Sequence, residues 1–166
     1  MKADSTVLMS HHCVRIVVGA AWLLVLLPHW AIAAANDVVR ISDVWVRATL
    51  PGQSVGAAYM RVRSKEDVTL IEVTSTVSRT AELHQMSMLG DLMRMREVKA
   101  LKVSRDKETA LEPGGTHVML IDLKRPMKAG DALTLKLTFR RADGSTFVLP
   151  VSARVKSMAA EAMHGH

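Results

Sequence analysis

Two pairs of residues carry the chemistry that this sequence can offer. His84-Gln85-Met86 and His117-Val118-Met119 each place an imidazole two residues before a thioether. On a β-strand, positions i and i+2 share a face and lie about 6.6–6.8 Å apart along the chain. An imidazole and a thioether at that spacing can converge on one ion. The stretch LHQMSMLGDLMRM (83–95) adds more soft donors around His84. A two-residue turn at Gly90-Asp91 pairs Leu89 with Leu92, Met88 with Met93, Met86 with Met95 and His84 with Glu97. One face then carries His84, Met86, Met88, Met93 and Met95, and a longer turn would shift this register.

Thioether sulfur is soft and uncharged. Calcium and magnesium seek oxygen ligands, and structural zinc favours thiolate, imidazole and carboxylate. Imidazole combined with thioether selects Cu(I). Against this stands an ordinary structural explanation, since a methionine stripe at strand spacing is usually core filler. What shifts the balance is coincidence. The only two histidines between Ala35 and the C-terminal tail share one motif with methionine, and a Met-rich hairpin surrounds one of them. The terminal Met163, His164 and His166 form a second candidate, whose imidazoles suit Cu(II).

The elements that must position these residues read as strands. ALTLKLTF (132–139) puts Leu133, Leu135, Leu137 and Phe139 on one face. Residues 40–48, 57–64, 68–76, 79–88, 92–98, 116–123 and 145–155 alternate similarly. Turn signals separate them, including Pro51-Gly52, Gly90-Asp91, Pro113-Gly114-Gly115 and Ala142-Asp143-Gly144. The pattern predicts one all-β domain over 36–155, an antiparallel β-sandwich or Greek-key barrel. A short Met/His-containing tail follows at 156–166.

The preceding segment is of another kind. Residues 14–35 are mostly apolar, with Arg15 before the run and small residues after it. This order predicts a secretory signal over 1–35, cleaved after Ala35, in preference to a retained membrane anchor. The single cysteine, Cys13, precedes the apolar run and has no lipobox before it. A chain processed at Ala35 has no thiol, which excludes disulfides, thiol redox chemistry and thiolate metal sites. It carries 20 Lys plus Arg against 15 Asp plus Glu, interspersed along the chain. Trp45, Tyr59, Phe139 and Phe147 are its only aromatic residues other than histidine. Nucleic-acid stacking platforms are therefore not expected. Trp45 and Arg47, two residues apart, are expected to pack in the core with a stacked guanidinium.

At the chemical residues the sequence also resembles a known family. His84, ten residues, Met95, twenty-one residues, then His117-Val118-Met119 looks like the H-x10-M-x21-H-x-M signature of the periplasmic PCu(A)C copper chaperones. VWVRAT (44–49), GAAYM (56–60), ELHQM (82–86) and LEPGGTHVMLIDL (111–123) extend the resemblance over about residues 41–153. It implies a cupredoxin-like β-sandwich binding Cu(I) through His84, Met95, His117 and Met119. It implies delivery of copper toward the CuA centre on subunit II of cytochrome c oxidase, alongside Sco-type thiol proteins. Met86, Met88 and Met93 go beyond the signature, as outer support, alternative ligands or packing. The expectation is a periplasmic, monomeric carrier and not an enzyme, with the cluster at the rim of the sandwich. A copper buffer or resistance protein, or a sandwich interaction module without metal, are the alternatives.

Overall fold

The computed structural model describes residues 38–157 other than 91. The segment read as a signal, and the tail from Met158 with Met163, His164 and His166, lie outside the described residues.

Ten strands form the described chain: β1 (Val39–Arg47), β2 (Val55–Ser64), β3 (Val68–Ser75), β4 (Ser78–Leu89), β5 (Leu92–Glu97), β6 (Leu101–Val103), β7 (Glu108–Leu111), β8 (Thr116–Leu123), β9 (Ala132–Arg141) and β10 (Thr146–Lys156). The eight segments expected from alternation are all present. β6 and β7, of three and four residues, are too short for alternation to declare itself.

The strands lie along one hydrogen-bonded path, β5-β4-β8-β2-β1-β10-β9-β3-β6, with β7 also paired to β2. Named strands pair antiparallel except β1 with β10, which bring the two ends of the domain together in parallel. The path folds over so that both halves contribute to one core. Val46, Met60, Leu83, Val118 and Leu120 come from one half, and Leu70, Leu135, Leu137 and Phe139 from the other. On β9 the expected face is the buried one: Leu133, Leu135, Leu137 and Phe139 point inward, and Phe139 stacks on Phe147 at 5.5 Å. Burying such side chains contributes about 1.5–3 kcal/mol each. This is the expected all-β, cupredoxin-like sandwich.

Two local features shape the opposite face of β4, β8, β2 and β1. The first is a bulge in β1 between Ser42 and Trp45, where Asp43 has φ +50°. One extra residue reverses the alternation. Trp45 thereby shares a face with Tyr59, its partner on β2, at 4.3 Å between rings. The expected core position of Trp45 and Arg47 is corrected here. Val46 takes the core, while the two neighbours look the other way. Arg47 lies over Tyr59 at 5.8 Å, and Lys156 covers Trp45 at 5.3 Å.

The second feature is the departure of β8 from β2. β8 pairs with β2 only from Val118 to Ile121, because β7 takes the β2 edge from Met60 to Arg63. His117 and Thr116 keep their β4 partners, His84 and Gln85. The turn joining β7 to β8 closes through Gly115 N–H to Glu112 O and Glu112 N–H to Thr116 O, with Gly114 at φ +81°. That turn stands beside His117.

Candidate metal centre

The hairpin register matches the sequence expectation residue for residue: Leu89 with Leu92, Met88 with Met93, Met86 with Met95 and His84 with Glu97. Two residues separate the strands, and Gly90 has φ +62°, as a tight turn between right-twisted strands requires. β8 lies on the other side of β4, pairing His117 with His84 and Met119 with Glu82. Directly opposed residues of an antiparallel pair share a face. His84, Met86, Met88, Met93, Met95, His117 and Met119 therefore all lie on the side of the sheet away from the core.

Within that face the residues differ in depth. Met86, Met95, His117 and Met119 line one cavity, with Arg47, Tyr59 and the Pro113-Gly114 turn among its walls. His117 is only 4% exposed. Met86 and Met119 are half-buried, and Met95 is 48% exposed. His84 stands beside this group, its ring 6.4 Å from that of His117 and 27° from parallel. Met88 and Met93 lie farther out, at 64% and 58% exposure. Methionine filling a core would be covered, so packing explains Met60 and Met127, both essentially inaccessible, but not this hairpin.

The nitrogens of the two histidines meet different surroundings. His117 Nδ1 is 3.1 Å from Gly115 O. A carbonyl only accepts, so Nδ1 carries the proton, and the lone pair of the neutral ring is on Nε2. Gly115 O also accepts from Met86 N–H at 3.2 Å, tying the turn, β4 and the ring together. His84 Nδ1 is buried and has no hydrogen-bond partner. Its Nε2 faces Glu82 Oε2 at 3.9 Å, within ion-pair range though longer than a hydrogen bond. Glu97, the other carboxylate near His84 in register, is engaged by Lys99 at 2.6 Å. An unpartnered buried nitrogen is costly, and a metal would satisfy it.

Among the described residues, no three His, Cys, Asp or Glu side chains assemble as a metal site. The side-chain donors at hand on this face are two imidazoles and the thioethers. That composition fits Cu(I). The ion would be cargo, with Gly115 and Glu82 in the outer positions that orient ligating histidines. Neither was singled out from the sequence. Glu82 was reachable, because it lies two residues before His84 on the same strand face. The Gly115 carbonyl was not, because backbone groups leave no trace in residue type.

Comparison with known proteins bears on the family and the fold. A family described as "Putative lipoprotein LpqE-like" matches residues 39–151. "Putative lipoprotein Lxx21020" of Leifsonia xyli subsp. xyli (strain CTCB07) is 34% identical over 123 residues, 72% of this chain and 70% of that protein. Among solved structures, the Cu(I) form of DR1885 from Deinococcus radiodurans is 30% identical with a TM-score of 0.52. That alignment covers 75% of this chain and 83% of the other. The copper-bound PCuAC domain from PmoF2 shares the fold at 24% identity and a TM-score of 0.57, over 72% of this chain and 92% of that one.

Proposed function

This chain belongs to the LpqE-like family and has the fold of PCuAC domains, and from that premise we propose that it is an exported copper chaperone. It binds Cu(I) through His84, Met95, His117 and Met119. One observation carries the reading. Three of these four side chains line a single cavity, while the fourth holds a buried, unpartnered Nδ1 beside His117. The likeness to the Cu(I) form of DR1885 supports the metal and its oxidation state.

The apolar N-terminal segment and the lipoprotein names of relatives support export, and we place the protein in the periplasm. It acts as a carrier and not as an enzyme. A buried imidazole holds the ion from below, and the exposed Met95 leaves it reachable for ligand exchange with an acceptor. By the motif resemblance that acceptor is the CuA domain of cytochrome c oxidase subunit II, with a Sco-type thiol protein acting alongside. The terminal Met163, His164 and His166 supply a separate Cu(II) site.

The test is a competition titration with a chromophoric Cu(I) chelator. His117→Ala should weaken binding by well over the roughly 10–100-fold that loss of an outer-shell partner costs. Unchanged affinity would return the methionines to packing and favour an interaction module. X-ray absorption should then show a mixed nitrogen and sulfur shell. The exposed thioethers of the hairpin favour a second reading, a copper buffer. Transfer to an apo CuA domain supports delivery, and failure to transfer supports storage.

A further inference from the structure

Met88 and Met93 are unused by that site, and their placement calls for an account. They are directly opposed across β4 and β5 and are among the most exposed large apolar side chains of the domain. Val98 N–H donates to Leu83 O at 2.8 Å. Alternation from that bond makes His84–Glu97, Met86–Met95 and Met88–Met93 the non-hydrogen-bonded pairs, whose Cα atoms approach to about 4.5 Å. The two thioethers of each methionine pair therefore start from the closest spacing that a hairpin offers. Successive pairs lie about 6.6–6.8 Å apart, within the combined reach of flexible thioether arms. The inner pair, Met86 and Met95, already lines the cavity of His117 and Met119. The other face of the same hairpin carries Arg94, and Arg96 bonded to Gln85 at 3.0 Å, so the sulfur is confined to one side.

We propose that Met88 and Met93 form an outer Cu(I) landing site, from which the ion passes to Met86 and Met95 and then to the histidines. The inference rests on the copper-carrier reading above. Each step is a ligand exchange. A sulfur–copper bond to the inner pair forms as one to the outer pair breaks, and copper remains Cu(I) throughout. Thioethers do not titrate, so no proton has to move until an imidazole is reached. Two neutral soft donors in solvent bind weakly, which suits a point of entry and exit, while the imidazoles deepen the inner site.

The test separates rate from affinity. Cu(I) is presented as its bicinchoninate complex, and uptake is followed by loss of colour. Met88→Leu/Met93→Leu keeps apolar bulk and removes both sulfurs. Capture should slow about tenfold, a barrier change of one such step, while the equilibrium affinity stays at the wild-type level. Wild-type capture rates in the double variant would overturn the landing site and leave the inner site standing. No uptake by the wild-type protein would overturn both. An independent check uses silver(I) with 13C-methyl methionine. The Met88 and Met93 methyl signals should shift beyond one equivalent, after Met119 has saturated, and signals that never move would count against the proposal.

Discussion

His84 and His117 face each other across β4 and β8, with ring centroids 6.4 Å apart, and their nitrogens meet different surroundings. The Gly115 carbonyl occupies Nδ1 of His117. Glu82 stands off Nε2 of His84. Nδ1 of His84 is buried without a hydrogen-bond partner. The His117 ring is held by the Gly115 carbonyl before any metal arrives, and that preorganisation favours binding.

The first prediction concerns Glu82. A carboxylate near Nε2 favours the proton there and leaves Nδ1 as a donor to metal. Glu82→Ala should weaken Cu(I) binding about 10–100-fold and alter the His84 ring nitrogen shifts in 15N NMR. Glu82→Gln keeps an acceptor and should restore much of both. Identical spectra and affinity in Glu82→Ala would remove Glu82 from the site.

The turn sets the register, and the register sets the sulfur pairs. Gly90 at φ +62° occupies a conformation that costs an L residue with a Cβ about 1–2 kcal/mol. Gly90→Ala should make hairpin closure less favourable by that amount, with nothing within 4 Å for the new methyl to strike. Amide exchange should quicken in β5, an edge strand exposed along its whole length, and Cu(I) affinity should fall with it. Gly90→Asn, which tolerates the left-handed region, should be milder. Equal exchange rates in all three proteins would show that the turn does not control the register.

The sequence revealed this hairpin because its two signals are local. Alternation names the faces, and Gly90-Asp91 names the turn. His84, Met95, His117 and Met119 stood together as a set only through the resemblance of their spacing to the PCu(A)C signature, since β4 and β8 are brought together by long-range pairing. Trp45 went the wrong way for a physical reason. Period-two reading runs straight through Ser42 and Trp45, while the bulge at Asp43 inserts a residue and exchanges the faces. β6 and β7 escaped because three or four residues cannot show a period. β7 matters to the site nonetheless, since it displaces β8 from β2 just where His117 begins.

The core should be far less forgiving than the rim. Phe139 is fully buried and stacks on Phe147. Phe139→Ala should destabilise the domain by about 3–5 kcal/mol through lost transfer energy and a cavity. Val148, half exposed on β10, should tolerate alanine within about 0.5 kcal/mol. Urea unfolding of both variants checks the contrast. Comparable losses at the two positions would mean that the core is not where the burial places it.

Acid should weaken the fold at identifiable carboxylates. Asp131 accepts from Arg125 Nη1 at 2.7 Å and from Lys128 N–H at 3.2 Å, and these bonds hold its pKa below the ordinary 3.8. Asp143 is lowered by Ser145, whose hydroxyl and N–H both donate to it. A group more acidic in the folded state than in the unfolded one stabilises above its unfolded value. That contribution is lost as pH falls through the folded value. Asp143 is exposed and Asp131 partly so, so each effect is modest. Wild type should therefore exceed Asp131→Asn and Asp143→Asn in Tm at neutral pH, and the gap should close below about pH 4. A gap that persists at low pH would assign the difference to packing of the loops between β8 and β9 and between β9 and β10, and not to charge.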